Sequence, residues 1–372
     1  MQKSLINKRQ TLINFLSPKR MIIILLFISI ACLRFYYCTQ LPVNTGDLPR
    51  HIYYGLYTEQ RALATAGQSL AELNPLLSWV AWSSLPYNYP IVTLLFFIVI
   101  GKLSPTIFFS KFVLTLIEAL NSWLVFKYSR QRLLALLFWA SPISIWWVSH
   151  EGQFEPLQSL FVIGALCTLS KRKSLAFILL ALAVQVKLTA ILLLPYFLLT
   201  VRHDNPNDSI MSLTAFAMGF LPTGFAMFHY PIITQILSSA THFVYNPYYW
   251  NVLKYTMFLW NPWWLVAFNQ LATYGMLILL ATWAVKLREI KSFFAPMSFI
   301  VFCKINYLCQ FWYFVLHMSF LLPIQDKRKR LWLFALTPLL DVRSSVQIFA
   351  GPFGYTVGKY YETMDVFMKL TI

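Results

Sequence analysis

The stretch that decides the fold is Met21-Ile-Ile-Ile-Leu-Leu-Phe-Ile-Ser-Ile-Ala-Cys-Leu-Arg-Phe-Tyr-Tyr-Cys38, an almost uninterrupted apolar run. A bilayer core about 30 Å thick is crossed by roughly 20 helical residues at about 1.5 Å each. Comparable runs recur along the whole chain, at 21–38, 88–102, 105–126, 132–149, 156–170, 174–200, 210–229, 263–285, 292–306, 309–324 and 331–350. They do not alternate, so they predict an all-α, polytopic transmembrane protein with about 10–11 membrane segments rather than a barrel.

The composition excludes several classes of protein. Of the 372 residues, 58% are hydrophobic and only 12% are charged, which is about half the charged fraction of a soluble protein. The net charge is +17. A soluble enzyme, a disordered chain and a nucleic-acid-binding module are therefore excluded, and membrane lipids are the expected surroundings.

The basic residues predict the orientation of the segments. Nineteen of the 30 Lys and Arg fall in the N-terminus (residues 1–20) and in five short connections, which the positive-inside rule assigns to the cytoplasm. Two long loops, 39–87 and 229–262, then lie on the extracytoplasmic side. One conflict remains: if both 88–102 and 105–126 cross the membrane, the basic segment 127–132 lies on the wrong side. Either 88–102 inserts only partly, or the rule fails there.

The acids are scarce, and five of the 13 lie in two extracytoplasmic connections. Asp47 follows the first helix in a Gly-Asp turn, where Arg50 and His51 can orient a carboxylate. A positioned carboxylate can take a proton from an attacking hydroxyl. A simple turn is the alternative. Glu59 and Glu72 are read as hydrated interfacial acids.

A second polar cluster is His150-Glu-Gly-Gln-Phe-Glu-Pro156, between two apolar runs. His150, Glu151, Gln153 and Glu155 could bind a metal, recognise sugar hydroxyls or form a helix N-cap. The spacing matches no standard metal motif. Lys187 interrupts an apolar stretch, so it must reach the membrane interface or meet an anion.

The order of these motifs resembles that of the GT-C superfamily of membrane glycosyltransferases, in its mannosyltransferase-like branch. The resemblance covers about residues 20–325 and rests on five short motifs, namely Thr45-Gly-Asp-Leu-Pro-Arg-His51, Pro86-Tyr-Asn-Tyr-Pro90, Gly152-Gln-Phe-Glu155, Lys187-Leu-Thr-Ala-Ile-Leu-Leu-Leu-Pro195 and Gln310-Phe-Trp-Tyr-Phe-Val-Leu-His-Met-Ser-Phe-Leu-Leu-Pro323. Glu155 replaces the usual Asp, and Glu151 is inserted before Gly152. The resemblance implies a catalytic domain over 21–325, with 326–372 unassigned.

Such enzymes transfer a sugar from a polyprenyl-phosphate donor. The resemblance therefore implies a hexose, of mannose type, moving with inversion to a hydroxyl of a glycan, lipid or protein, with Asp47 as the general base. Lys187 would be the first partner of the leaving phosphate, and Arg50 and His242 the next. Glu155 and Gln153 would orient the sugar. A divalent cation, Mg²⁺ or Mn²⁺ held by Asp47 and Glu155, is left open.

Two other classes of function remain. A secondary transporter or flippase for a lipid-linked solute should place ionisable residues near the bilayer midplane, where Glu118 is the clear example. A non-catalytic membrane scaffold should tolerate replacement of Asp47. The compact chain favours a bacterial inner membrane with a periplasmic site. An ER membrane with a lumenal site has the same topology.

Overall fold

The computed structural model describes residues 18–42, 47–78, 80, 83–204, 206–229, 231, 271, 275–280, 282–283, 291–305 and 311–341. No strand occurs among them, so the prediction of an all-α chain is confirmed for this part. The α-helices are α1 Pro18–Thr39, α2 Asp47–Arg61, α3 Leu70–Leu73, α4 Ile91–Leu103, α5 Ile107–Ser129, α6 Arg132–Trp139, α7 Pro142–Ser144, α8 Glu155–Thr168, α9 Lys173–Val186, α10 Leu194–Asp204, α11 Pro206–Met218, α12 Leu221–Met227, α13 Lys291–Ile305, α14 His317–Leu321 and α15 Lys327–Leu336.

Shorter helical segments connect these elements. Residues 275–280 are also helical. A π-helical segment, Ile145–His150, continues α6 and α7. The 3₁₀ segments are Leu63–Gly67, Pro75–Leu77, Leu188–Leu193, Phe311–Leu316 and Thr337–Asp341. The predicted loop 229–262, the run 263–285 and the segment beyond 341 lie wholly or mostly outside the described residues, as does most of the N-terminal segment 1–20.

Four of the described helical stretches are long and apolar enough to cross a membrane: Met21–Thr39, Ile107–Ser129, Arg132–His150 and Asn207–Met227. Large apolar side chains of α1, among them Ile22, Leu25 and Ile28, are exposed. In water such a surface would be unfavourable, whereas against lipid it carries no cost. The chain is therefore an α-helical membrane protein.

The first two long helices, α1 and α5, run antiparallel. The Lys111 ammonium, near the start of α5, donates to the carbonyls of Tyr37 at 3.0 Å and Gln40 at 2.6 Å, at the end of α1. A cation bound to carbonyls at the C-terminal end of a helix is favoured by the helix dipole, so the lysine caps α1. We call this end of the bundle the acid-rich end, because the loop that carries Glu151 contacts Lys111 there through Gly152, and we call the opposite end the basic end.

Helix α4 bears on the topological conflict in the sequence. Its 13 residues span about 20 Å. Its first turn is tied to the end of α9 by the Thr93 hydroxyl, which donates to the Val186 carbonyl at 2.8 Å. Three residues separate its last residue, Leu103, from the start of α5. The end of α4 is therefore at the acid-rich end, close to the start of α5, and the segment 127–132, at the end of α5, falls at the basic end with the start of α1.

Two glycines allow α2 to pack closely on α4. A Cβ at Gly55 would overlap the backbone of Phe97, and one at Gly101 would lie 2.8 Å from the Leu56 nitrogen. The buried face of α2 carries Leu48, Ile52 and Tyr54. The pair of helices therefore forms a rigid layer across the acid-rich end.

The Ser69–Glu72 pair starts the short helix α3. The Ser69 amide donates to the Glu72 carboxylate at 2.8 Å, and the Glu72 amide donates to the Ser69 hydroxyl at 3.3 Å. This is a capping box, recognisable as Ser-x-x-Glu in the sequence. Glu72 is exposed, as a hydrated acid should be, but it also has this structural task.

Candidate functional site

The acid-rich end brings together two segments that are about 100 residues apart in the sequence. Asp47 is the first residue of α2, and the described side chains of that helix begin with Leu48. Gly152 lies directly against Leu48, since a Cβ at Gly152 would overlap that leucine and would lie 3.1 Å from Lys111 Cγ. The helix that begins with Asp47 therefore meets the loop that carries His150, Glu151, Gln153 and Glu155.

The turn of that loop depends on the backbone of Gly152. Its φ is +78°, in the left-handed region that favours glycine. The π-helical segment ends there, with the Glu151 amide bonded to the Trp146 carbonyl at 3.0 Å and the Gln153 amide to the Trp147 carbonyl at 2.8 Å. Such π segments are frequent at functional sites.

His150 and Glu151 form a buried pair at the centre of this loop. The Nδ1 atom of His150 lies 2.8 Å from Glu151 Oε1, and its ring stacks on Trp146 with 4.2 Å between centroids. Tyr37 contacts the same ring edge-on. The Nε2 atom is buried and has no hydrogen-bond partner in the described part of the chain. A buried polar atom of this kind is one that a ligand or a water molecule satisfies.

Glu155 and Lys187 form the second buried pair. The Lys187 ammonium lies 2.5 Å from Glu155 Oε1, and the side chains are 7% and 0% exposed. It also lies 3.8 Å from the centre of the Tyr313 ring and 5.4 Å from that of Phe154. Of the two alternatives for Lys187, reaching the membrane interface or meeting an anion, the structure shows the second, and the anion is Glu155. The two charges offset each other, which makes burial of both tolerable.

The position of Lys187 follows from how helices α8 and α9 pair. They are antiparallel, so the first residue of α8, Glu155, faces the residue that ends α9. The Gln158 side-chain amide donates to the Ala183 carbonyl at 3.2 Å and to the Lys187 carbonyl at 2.5 Å. Gln158 thereby adds a second donor to two carbonyls at the end of α9. The predicted run 174–200 is therefore not one helix, because it is interrupted at Lys187, between α9 and the segment Leu188–Leu193.

His51 is buried in an aromatic cage next to these pairs. Its ring stacks on Phe97 with 4.9 Å between centroids and contacts the edge of Phe154. Nδ1 pairs with the Tyr87 hydroxyl at 3.2 Å. Burial first, and then the charges of Arg50 and Lys187, hold the pKa of His51 well below its ordinary value. The ring is therefore neutral at pH 7.

Arg50 fixes the segment that precedes α4. Its guanidinium donates to the Asn88 side-chain oxygen at 2.9 Å and to the Pro86 carbonyl at 2.7 Å. The Pro86–Pro90 motif is therefore held over α2 by a buried arginine. The sequence suggested that Arg50 orients a carboxylate. The partners that the structure describes belong to this segment, and the expected contact with the Asp47 carboxylate stays a prediction because that side chain lies outside the described residues.

Three buried charges were missed or left unexplained by the sequence reasoning. Lys111 caps α1, as described above. Arg34, in the first apolar run, donates to the Trp139 carbonyl at 2.8 Å and to the Ser149 hydroxyl at 3.0 Å. Glu118, noted only as a mid-span acid, accepts from Ser144. The sequence did contain an indication of these contacts. Single charges of opposite sign occur in otherwise apolar helices, and such residues are expected to pair with each other.

Among the described residues, the possible metal ligands do not group as a divalent-cation site requires. No three His, Cys, Asp or Glu side chains come together as metal ligands in the described ranges. Glu155, one of the two expected ligands, holds the Lys187 ammonium instead. The Asp47 side chain and all of His242 lie outside the described residues, so their roles stay predictions.

No protein-family model matches the sequence, and no curated protein is significantly similar to it. The function is therefore argued from the site itself.

Proposed function

We propose that the chain is a membrane glycosyltransferase of GT-C type, which transfers a hexose of mannose type from a polyprenyl-phosphate donor to an acceptor hydroxyl. The observation that supports this is the meeting of α2 with the His150–Glu155 loop at Gly152, next to the Glu155–Lys187 pair. Three acids, Asp47, Glu151 and Glu155, thus lie near neutral hydrogen-bonding groups and the Lys187 cation.

In the proposed reaction Asp47 acts as the general base. It removes the proton of the acceptor hydroxyl while that oxygen attacks the anomeric carbon. The bond from the anomeric carbon to the phosphate oxygen breaks, and its electron pair leaves with the polyprenyl phosphate. Attack from the face opposite the leaving group inverts the configuration. No metal takes part in this scheme.

The leaving phosphate requires a positive group, because fixed charge is most effective where charge develops. Lys187 has this role in the proposal. When the donor is bound, its ammonium contacts both Glu155 and the phosphate. The neighbouring Tyr313 ring leaves the ammonium little other solvation. Arg50 and His242 are the further candidates for the phosphate. Gln153 and Glu155 orient the sugar.

His150 and Glu151 complete the proposed sugar site. The unpartnered Nε2 atom of His150 supports this, since a sugar hydroxyl would satisfy it. His51 is assigned to the wall of the site, where its neutral ring and the Tyr87 hydroxyl hold α2 in position.

The acid-rich end is proposed to face the periplasm of a bacterial inner membrane, or the lumen of the ER as the alternative. The clustering of Arg132, Lys171 and Lys173 at the basic end supports this orientation. About 10–11 membrane segments, with long loops 39–87 and 229–262, belong to the same proposal.

The test uses purified protein in vesicles supplied with polyprenyl-phosphate mannose and an acceptor panel, with released polyprenyl phosphate measured. Asp47→Asn should reduce turnover at least about 100-fold, because the base is lost. Glu59→Gln, an exposed acid of the same helix, is the matched control and should leave turnover unchanged. Full activity of Asp47→Asn, in protein with an unchanged melting temperature, would refute the assignment.

The alternative is a transporter or flippase for a lipid-linked solute. The buried charges Arg34 and Glu118, on helices that could span the membrane, are the observation in its favour. A flippase would move a fluorescent polyprenyl-phosphate sugar between leaflets without releasing polyprenyl phosphate. It would also retain this activity in Asp47→Asn, which separates the two functions in one preparation.

A further inference from the structure

A second polar site lies at the basic end, away from the proposed catalytic residues. A cavity of about 470 Å³ opens between the turn that joins α8 to α9 and the first turns of α11. This volume is within the range of small-ligand sites. Its wall includes Lys171, Arg172, Lys173, Ser174, Asp208 and Ser212.

The wall of this cavity is positively charged. Lys173 and Asp208 form an ion pair at 2.7 Å, so these two charges offset each other. Lys171 and Arg172 add two further positive charges and are exposed at its rim. Among the described residues of the cavity wall, Asp208 is the one acid. The wall therefore has a net charge of +2, which favours binding of an anion.

The start of α9 contributes a further attraction for an anion. The helix has 14 residues, begins at Lys173, and has no side-chain hydrogen bond at its N-cap, Arg172. The amides of a first helical turn have no partner within the helix, and the helix dipole is positive at this end. Helix starts of this kind are used to bind phosphate.

Ser212 is an independent indication of a ligand. Its side chain is 1% exposed, it lines the cavity, and its hydroxyl has no hydrogen-bond partner among the residues that the structure describes. A buried hydroxyl without a partner is unfavourable, and native proteins rarely leave one unless a ligand or water occupies the place. This hydroxyl comes from α11, whereas the positive charges of Lys171 and Arg172 come from the turn that joins α8 to α9.

We propose that this cavity binds a phosphate group, held by Lys171, Arg172, the first amides of α9 and the Ser212 hydroxyl. The phosphate could belong to the headgroup of an anionic lipid in the leaflet at the basic end, or to a free phosphate ion. The site does not depend on the proposed glycosyl transfer.

Binding is measured on the full-length protein in nanodiscs of phosphatidylcholine, with either phosphatidylglycerol or inorganic phosphate titrated in and the melting temperature recorded. A rise with phosphatidylglycerol alone identifies a lipid headgroup. A rise with inorganic phosphate identifies the phosphate itself. Either result supports the proposal, and no rise with either probe overturns it.

Three variants locate the binding. Lys171→Gln and Arg172→Gln should each weaken apparent affinity about fivefold, the usual effect of one cation at an anionic surface. Ser212→Ala should weaken it about tenfold, as loss of a hydrogen bond to a charged group does. Without ligand, Ser212→Ala should melt at the same or a higher temperature, because it removes an unpartnered hydroxyl.

Arg132→Gln is the matched control. Arg132 is exposed at the same end of the bundle but is not part of the cavity wall. This variant should bind phosphate or phosphatidylglycerol as the wild type does. If Arg132→Gln loses as much affinity as Arg172→Gln, binding reflects the general charge of this face and the proposal fails.

Discussion

Arg34 and Glu118 are buried on neighbouring helices and are connected by the hydroxyl of Ser144. That hydroxyl accepts from the Arg34 guanidinium at 3.0 Å and donates to the Glu118 carboxylate. Asn121 donates to the other carboxylate oxygen at 3.2 Å. Two opposite charges thereby become tolerable in an apolar bundle, because each has hydrogen-bond partners and an opposite charge close by.

The first prediction concerns this bridge. Glu118→Gln should destabilise the protein by about 3–5 kcal/mol, because the buried Arg34 charge loses its counterion. The double variant Arg34→Gln/Glu118→Gln should be more stable than Glu118→Gln alone. Ser144→Ala should cost about 1–3 kcal/mol. Unfolding in detergent, followed by tryptophan fluorescence, measures the stability of these variants and of Arg34→Gln. If the effects of Arg34→Gln and Glu118→Gln simply add in the double variant, the two charges are not coupled.

The second prediction separates structure from catalysis at Lys187. Lys187→Met should destabilise by about 3–5 kcal/mol, because Glu155 is left as an unpaired buried carboxylate. Adding Glu155→Gln should restore much of the stability. If Lys187 also binds the donor phosphate, the double variant should stay inactive in polyprenyl-phosphate release. A stable and fully active double variant would show that the pair is only structural.

The third prediction concerns Gly152. Gly152→Ala should destabilise by about 1–3 kcal/mol and impair activity, because φ is +78° and the methyl group would overlap Leu48. Gly164→Ala is the control. Gly164 lies in α8, and an added methyl group would be 3.6 Å from Leu179, an ordinary contact. That variant should be neutral or more stable. Equal losses in both would exclude a special role for the Gly152 turn.

The fourth prediction concerns the topology of α4. In a cysteine-free background, Lys102→Cys at the end of α4 and Gln60→Cys in α2 should react with a membrane-impermeant maleimide from the same side. Lys127→Cys, at the end of α5, should react from the other side. All three positions are exposed. Labelling of Lys102→Cys together with Lys127→Cys would mean that α4 crosses the membrane.

The fifth prediction concerns acid stability and His51. Its pKa is lowered in the folded state by burial, so the unfolded chain binds the proton more readily. Stability is therefore fully present above the unfolded pKa of about 6.5 and falls as the pH drops below it, by at most about 1.4 kcal/mol per pH unit. His51→Gln should lose less stability than the wild type between pH 7 and pH 5. An equal loss would exclude His51 as the cause.

The sequence predicted the helices better than their contacts. The runs 21–38, 105–126 and 132–149 became α1, α5 and the helical stretch ending at His150, because length and hydropathy are local properties. The run 88–102 looked similar but became a shorter, 13-residue helix that packs on α2. Its placement depends on glycine contacts with α2, which no local pattern contains.

The candidate site was predicted in its parts and not in its pairings. The sequence singled out Glu155 and Lys187, and Lys187 was expected to meet some anion. That the two meet each other, 32 positions apart, follows from the antiparallel pairing of α8 and α9. Arg50 was expected beside an acid, yet its described partners are Asn88 and nearby carbonyls.

The sequence by itself determined an all-helical membrane chain, because apolar runs of this length have one stable environment, and it located the scarce acids. Only the tertiary structure decided which charges neutralise each other, where the α2 helix meets the Gly152 turn, and that a cavity with a buried hydroxyl forms at the basic end. The physical reason is that a buried charge or hydroxyl is satisfied by whatever group packing brings within about 3 Å. That neighbour can lie anywhere in the chain, as Ser144 does, 110 positions beyond Arg34.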